Sequence, residues 1–214
     1  MLNSGKPLLT GKSLLLGTRN PGKIYEIKLI LGDPATQGTA LEFSSLNEFP
    51  HIAVAEENED TYAGNAIGKA RFYAAATGLP ALADDSGLEV EALDGAPGVI
   101  SARYAGEHAT DADRRQLLLT ELAKTGSDNR RARFVCAIAI ASVEGEILNL
   151  SEGICEGTIT LGPRGESGFG YDPLFVPDGY DETFGELSDE VKNRISHRAR
   201  ALLKLRKSIT DRSP

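Results

Sequence analysis

The chain has 214 residues, 41% of them hydrophobic, and a formal net charge of −8. That is enough for a sizeable core in one large or two small domains, and the negative balance argues against a nucleic-acid partner because the surface as a whole repels polyanions. No apolar run reaches membrane-spanning length, Cys136 and Cys155 form no CxxC and point to a reduced, cytoplasmic setting, and three scattered histidines make no zinc site.

Residues 1–12 lack the apolar core of a signal peptide and read as a loose tail, leaving 13–210 as a single domain. Lys12 to Leu16 (KSLLL) reads as a short buried strand stopped by Gly17. Pro21 and Gly22 suit the turn into a helix, and Ile24, Ile27 and Leu31 recur on one side of Lys23 to Leu31. The turn itself, Gly17-Thr18-Arg19-Asn20-Pro21-Gly22-Lys23, combines backbone freedom, a helix start and two cations, which suits phosphate oxygens. It matches most of the phosphate loop G-x-x-x-x-G-K-S/T but places Ile24 where a hydroxyl must hold magnesium, and a plain strand–turn–helix connection explains the same residues.

The acidic run AEENED at 55–60 precedes an alanine-rich segment that ends at Gly78-Leu79-Pro80, a helix stop. Pro80-Ala81-Leu82 then reads as a short strand whose end carries ADDSG, residues 83–87. Adjacent residues at a strand end point in opposite directions, so one aspartate of Asp84-Asp85 faces a given site while the other supports it. Asp85 with a carboxylate from the Glu56–Glu57 region could hold one Mg²⁺, which takes few carboxylates plus water and substrate phosphates; an Asx turn before Ser-Gly is the alternative.

A loop at 94–98 leads to Ser101-Ala102-Arg103-Tyr104 and then to a helix over Asp111 to Lys124. Arg133 to Val143 and Gly145 to Ile154 read as two strands around a turn at Glu144-Gly145. In Ser167-Gly168-Phe169-Gly170-Tyr171-Asp172-Pro173, glycines flank an aromatic ring and an acid follows, which suits a flat heterocycle; the alternative, and the commoner fate of such aromatics, is a core place for Phe169 and Tyr171 beside a turn. The stretch from Ser188 reads as one helix, with Lys192, His197 and Arg198 offering donors, although basic runs of this kind are usually solvated faces. The alternation of helices and strands gives a single-chain α/β protein with a mixed sheet, split into two lobes with a cleft between.

Six segments, in this order, resemble the inosine triphosphate pyrophosphatases: GTRNPGK, N-A-x-x-K-A at 65–70, ADDSGLEVEALDGAPG, SARYAG, GFGYDP and ISHRARAL. The likeness runs from about Leu14 to about Leu205. It implies an α/β fold with an elongated mixed sheet flanked by helices, in two lobes with a central active-site cleft, together with hydrolysis of ITP, dITP and XTP to the monophosphate and pyrophosphate, Mg²⁺ dependence and a homodimer. By motif, Thr18, Arg19, Asn20, Pro21, Gly22 and Lys23 would wrap the triphosphate. Asp85 would be general base and metal contact, with Ser86 beside it on the substrate. Phe169, Gly170, Tyr171 and Asp172 would form the base and sugar pocket, and Lys192, His197 and Arg198 would close over the purine. For the second metal carboxylate the resemblance favours Glu56, with Glu57 close behind. Two rivals stand beside this reading: a P-loop kinase or ATPase releasing the γ-phosphate, against which Ile24 speaks, and a non-catalytic nucleotide or RNA binder, against which the charge speaks.

Overall fold

The computed structural model describes residues 13–32 and 41–210, so the expected tail at 1–12 lies outside the described residues. Six strands form one sheet in the order β2-β1-β3-β4-β5-β6. The first three are β1 (Ser13–Leu16), β2 (Glu42–Ser45) and β3 (Ala81–Val90); the others are β4 (Arg131–Ala141), β5 (Ile147–Ile159) and β6 (Phe175–Pro177). β1 runs parallel to both β2 and β3, with Leu15 opposite Ser44 on one side and Ala81 on the other. Leu14, Leu15 and Leu16 are accordingly fully buried, as a strand covered on both faces requires. β5 pairs antiparallel with β6, so the sheet is mixed, and β4 and β5 are joined by a turn short enough only for an antiparallel pair.

Five helices accompany the strands among the described residues: α1 (Pro21–Leu31), α2 (Tyr62–Thr77), α3 (Asp111–Thr125), α4 (Asp189–Ile195) and α5 (His197–Thr210). Each of the first three starts where a side chain satisfies an orphan amide: Asn20 accepts from Lys23 N, Thr61 from Gly64 N, and Thr110 from Asp113 N. α2 and α3 end at Gly78 and Gly126, both in the left-handed region.

The chain divides into two compact units. The first holds the chain up to Asp85, Ala137–Glu152 and the part from Ala199; the second holds Ser86–Cys136 and Gly153–Arg198. In the first, β1, the start of β3, the end of β4 and the inner sides of α1, α2 and α5 supply the buried apolar residues. In the second, Leu88, Leu118, Leu122, Phe134, Phe175 and Phe184 belong to one core cluster, with Phe175 stacked on Phe184 at 5.4 Å.

Three expectations change. β3 does not stop before the aspartates but continues through Asp84, Asp85 and Ser86 to Val90, because both charges are paired inside the fold. The single C-terminal helix is two, broken at Ser196, whose extended backbone (φ −64°, ψ 159°) restarts the chain as α5 at His197. β2 and β6 were not foreseen: Glu42–Ser45 carries little apolar signal, and Phe175–Pro177 is only three residues long. Among the described residues no helix is long and apolar enough to cross a membrane.

Candidate active site

The first unit gathers its charges on the middle of β3. Asp84 and Asp85 are 3% and 5% exposed, and they point to different partners, as alternation along a strand requires. Asp84 is 2.9 Å from the Lys23 ammonium. Asp85 Oδ1 accepts from Lys69 Nζ at 3.0 Å and Oδ2 from Asn65 Nδ2 at 3.1 Å. Lys69 also donates to Glu57 Oε1 at 2.6 Å. Asn65 and Lys69 lie four apart on α2, so one helix face presents both to the same carboxylate. Asn65 additionally fixes the acidic stretch, accepting from Glu59 N and donating to Glu59 O.

Three carboxylates (Asp84, Asp85, Glu57) thus meet two ammonium groups (Lys23, Lys69) in one cluster. Burial raises the Asp85 carboxyl above the ordinary aspartate range, Glu57 adds repulsion, and Lys69 with Asn65 offsets only part of this. At Lys69 burial acts to lower the affinity, but Asp85, Asp84 and Glu57 outweigh it and hold the ammonium charged. Among the described residues no group of three or more His, Cys, Asp or Glu forms a protein-only cage. One or two carboxylates with the rest of the coordination left to water and phosphate is the donor set Mg²⁺ accepts.

The turn before α1 is tightly organised. Gly17 N donates to Leu82 O at 2.7 Å, and a Cβ on Gly17 would stand 2.8 Å from Tyr73 Cδ2, so only glycine lets this turn approach α2 so closely. Thr18 Oγ1 accepts from Asn20 N, and Asn20 Oδ1 from Lys23 N. Arg19 donates to the carbonyls of Ile52 (2.8 Å) and Phe49 (3.3 Å), which anchors the loop. Glu56 is exposed and accepts from Asn58 Nδ2, whereas Glu57 faces Lys69.

In the second unit the half-buried Phe169 ring carries the Lys192 ammonium 4.6 Å from its centroid and the Arg198 guanidinium at 5.5 Å. Asp172 Oδ2 accepts both from Phe169 N and from Lys192 Nζ, at 2.8 Å each, and so fixes ring and cation together. Arg198, 2% exposed, donates to Ser86 Oγ at 3.0 Å. His197 stacks on Phe134 at 4.6 Å. Lys192, His197 and Arg198 are thus buried, while Arg200, Lys204 and Lys207 form the solvated face that a basic run usually is. Tyr171 is a core residue: its hydroxyl donates to Ser101 O at 3.0 Å, and burial keeps the phenol protonated far above its ordinary range. The Gly170 peptide is held on both sides, its N–H by Asp111 Oδ2 (2.8 Å) and its carbonyl by Arg115 (2.7 Å).

The structure brings Lys23 near Asp84, and Ser86, Phe169, Asp172, Lys192 and Arg198 into one network. Sequence reasoning assigned no role to Asn65 and Lys69, or to Asp111 and Arg115. The i, i+4 spacing of Asn and Lys inside an otherwise apolar helix was the available signal for the first pair. For the second there was none, since both read as ordinary first-turn and surface residues of α3.

The first unit holds a buried carboxylate–lysine cluster and the second an aromatic ring overlaid by cations, residue types found in α/β enzymes that handle phosphorylated heterocycles. The chain belongs to the Ham1 family, whose model matches residues 14–208. It is 50% identical over 193 residues to the dITP/XTP pyrophosphatase of Desulfotalea psychrophila (90% of this chain, 83% of the relative). To that of Desulforamulus reducens it is 49% identical over 191 residues (89% and 92%). Among solved structures, a HAM1 protein from Coxiella burnetii superposes with a TM-score of 0.83 at 41% identity, covering 93% of this chain and 98% of that one.

Proposed function

We infer that the protein is a hydrolase that cleaves the α–β phosphoanhydride of non-standard purine nucleoside triphosphates, dITP, XTP and ITP, releasing the monophosphate and pyrophosphate. Membership of the Ham1 family and the dITP/XTP pyrophosphatases among its relatives support it. The observation that carries the chemistry is Asp85, a buried carboxylate with raised proton affinity held by Lys69 and Asn65. Such a group is a general base: it takes a proton from the attacking water more readily than an ordinary surface aspartate does. Lys69 keeps the base oriented, and Lys23 and the amides at the start of α1 stand for the phosphate oxygens. Thr18, Arg19, Asn20, Pro21 and Gly22 shape that turn.

Mg²⁺ is the proposed cofactor; Asp85 and Glu57 are the carboxylates that would hold it, and when bound it would neutralise the triphosphate and the departing pyrophosphate. Glu57 replaces Glu56 in this role because it already faces the Lys69 that holds Asp85. In the second unit Phe169 offers a stacking surface, with Gly170, Tyr171 and Asp172 as its frame, and Ser86, Lys192, His197 and Arg198 supply donors. A 6-oxo purine presents an acceptor to those donors, whereas adenine presents an amine and leaves them unpaired. One such loss costs about 1.5–3 kcal/mol, roughly ten- to a hundredfold in selectivity. The working form is taken to be a cytoplasmic homodimer without nucleic-acid or membrane partners, and light scattering at micromolar concentration tests the dimer.

The deciding assay incubates purified protein with Mg²⁺ and a panel of triphosphates, reading pyrophosphate and orthophosphate separately. Pyrophosphate from dITP, XTP and ITP, with ATP at least tenfold slower, is the expected result; orthophosphate release, or no turnover, overturns the reading.

A further inference from the structure

Helix α3 contributes nothing to the roles assigned so far, yet its first two turns grip the loop that carries the aromatic ring. Asp111 Oδ2 accepts from Gly170 N at 2.8 Å, and Arg115 donates to Gly170 O at 2.7 Å, so both polar atoms of this residue are claimed by one helix. The grip is itself braced: Arg114 pairs with Asp111 and donates to the Ala109 and Ala102 carbonyls at 2.7 and 2.9 Å. Burial acts to raise the Asp111 carboxyl, but Arg114 and the Gly170 N–H outweigh it and keep it ionised.

The gripped residue needs the support. Gly168 and Gly170 both sit at positive φ (75° and 61°), and the stretch before them is tied down at Arg164 N to Pro173 O (2.8 Å) and Ser167 N to Gly185 O (3.0 Å), which leaves Phe169 and Gly170 to be set by Asp172 and α3. From the other side Asp172 holds Phe169 itself, its carboxylate accepting from Phe169 N at 2.8 Å and its N–H donating to Phe169 O at 3.2 Å, but it does not touch Gly170 N or O. Fixing the peptide that follows Phe169 sets where the ring, and with it the Lys192 and Arg198 contacts, can stand.

We propose that Asp111 and Arg115 are positioning residues that pre-set the Phe169 platform for the purine by clamping the Gly170 peptide from α3. The proposal rests on the function inferred above. It places the effect in nucleobase affinity and not in phosphate chemistry, because the clamp touches the ring's loop and none of the residues around Asp85. Loosening the platform weakens ground state and transition state alike, which raises KM and spares kcat.

The test compares Asp111→Ala, Asp111→Asn and wild type in steady-state hydrolysis of XTP, with inorganic triphosphate as a competitive inhibitor that has no base. Asp111→Ala is expected to raise KM for XTP about tenfold, the scale of one charge-assisted hydrogen bond. kcat should change by less than about twofold and the Ki of inorganic triphosphate should hold, since uniform binding alone is lost. Asp111→Asn retains an acceptor for Gly170 N and should recover most of the loss. If Asp111→Ala is recovered only unfolded, Arg115→Met takes its place with the same readouts. An unchanged KM, or KM and Ki rising together, overturns the proposal. Failure of the wild-type protein to release pyrophosphate from XTP would instead overturn the function on which it rests.

Discussion

Lys69 stands between three carboxylates, and its neighbour Asp85 remains the least comfortable charge in the cluster. The sign of that discomfort makes a prediction. A carboxyl whose affinity is raised on folding binds its proton in the native state at pH values where the unfolded chain has released it. Its ionisation therefore costs stability above the folded-state value, and the cost is absent below the ordinary aspartate range. Asp85→Asn removes the charge and keeps the shape. With Mg²⁺ present it should lower XTP turnover by about 10²–10⁴, the usual worth of a general base. Its stability relative to wild type should rise between pH 3 and pH 7, on top of a pH-independent cost from taking the Asp85 partner away from Lys69. Urea unfolding at both pH values checks the second half, and a variant that loses ground as pH rises would show that Asp85 is stabilised as an anion. Asp85 was legible in the sequence because paired acids inside an apolar stretch demand an explanation. Lys69 was not, because a lysine in an alanine-rich helix is ordinary until the strand opposite is known.

At the scale of elements, the helices read well because their ends are written in side chains. Asn20 and Pro21, Thr61 and Gly78-Pro80, and Thr110 and Gly126 mark α1, α2 and α3 in residues whose local chemistry stops or starts a helix. The strands read less well. Leu14 to Leu16 and the hairpin of β4 and β5 carry apolar runs, but β3 was cut short at its aspartates, whose ammonium partners come from α1 and α2 and leave no local trace. The loop before the turn of Asp172 is a case where one backbone position decides an element. Gly168 lies at φ +75°, and a Cβ there would sit 2.1 Å from Asp172 Oδ2, the atom that holds Phe169 N and Lys192. Gly168→Ala should cost about 1–2 kcal/mol for the left-handed backbone alone. It should also displace the Asp172 carboxylate and raise KM for XTP more than it lowers kcat. Equilibrium unfolding with steady-state kinetics measures both; a variant with wild-type stability and KM would mean the loop is not held as described.

The whole molecule carries −8, so a triphosphate meets net repulsion at a distance and is held only where cations are concentrated. Lys23 and Lys69 are already engaged by Asp84, Asp85 and Glu57, which is why a divalent ion is expected to arrive with the substrate. The same bookkeeping of ligands says that such an ion does not hold the fold. Structural metals sit in protein-only cages and supply on the order of 10 kcal/mol of folding energy, and the described residues contain no such cage. The apolar cores of both units are closed without one. Excess chelator should therefore abolish pyrophosphate release while moving the thermal midpoint by less than about 2 °C, the shift expected when no tight native-state ligand is lost. Mg²⁺ with a non-hydrolysable XTP analogue should raise the midpoint by more than the sum of either alone, because carboxylates and phosphates each complete the coordination the other leaves open. A midpoint that collapses on chelation would make the ion part of the scaffold. Additive shifts would separate it from the substrate, and either result would remove the reason for assigning it to the carboxylates around Lys69.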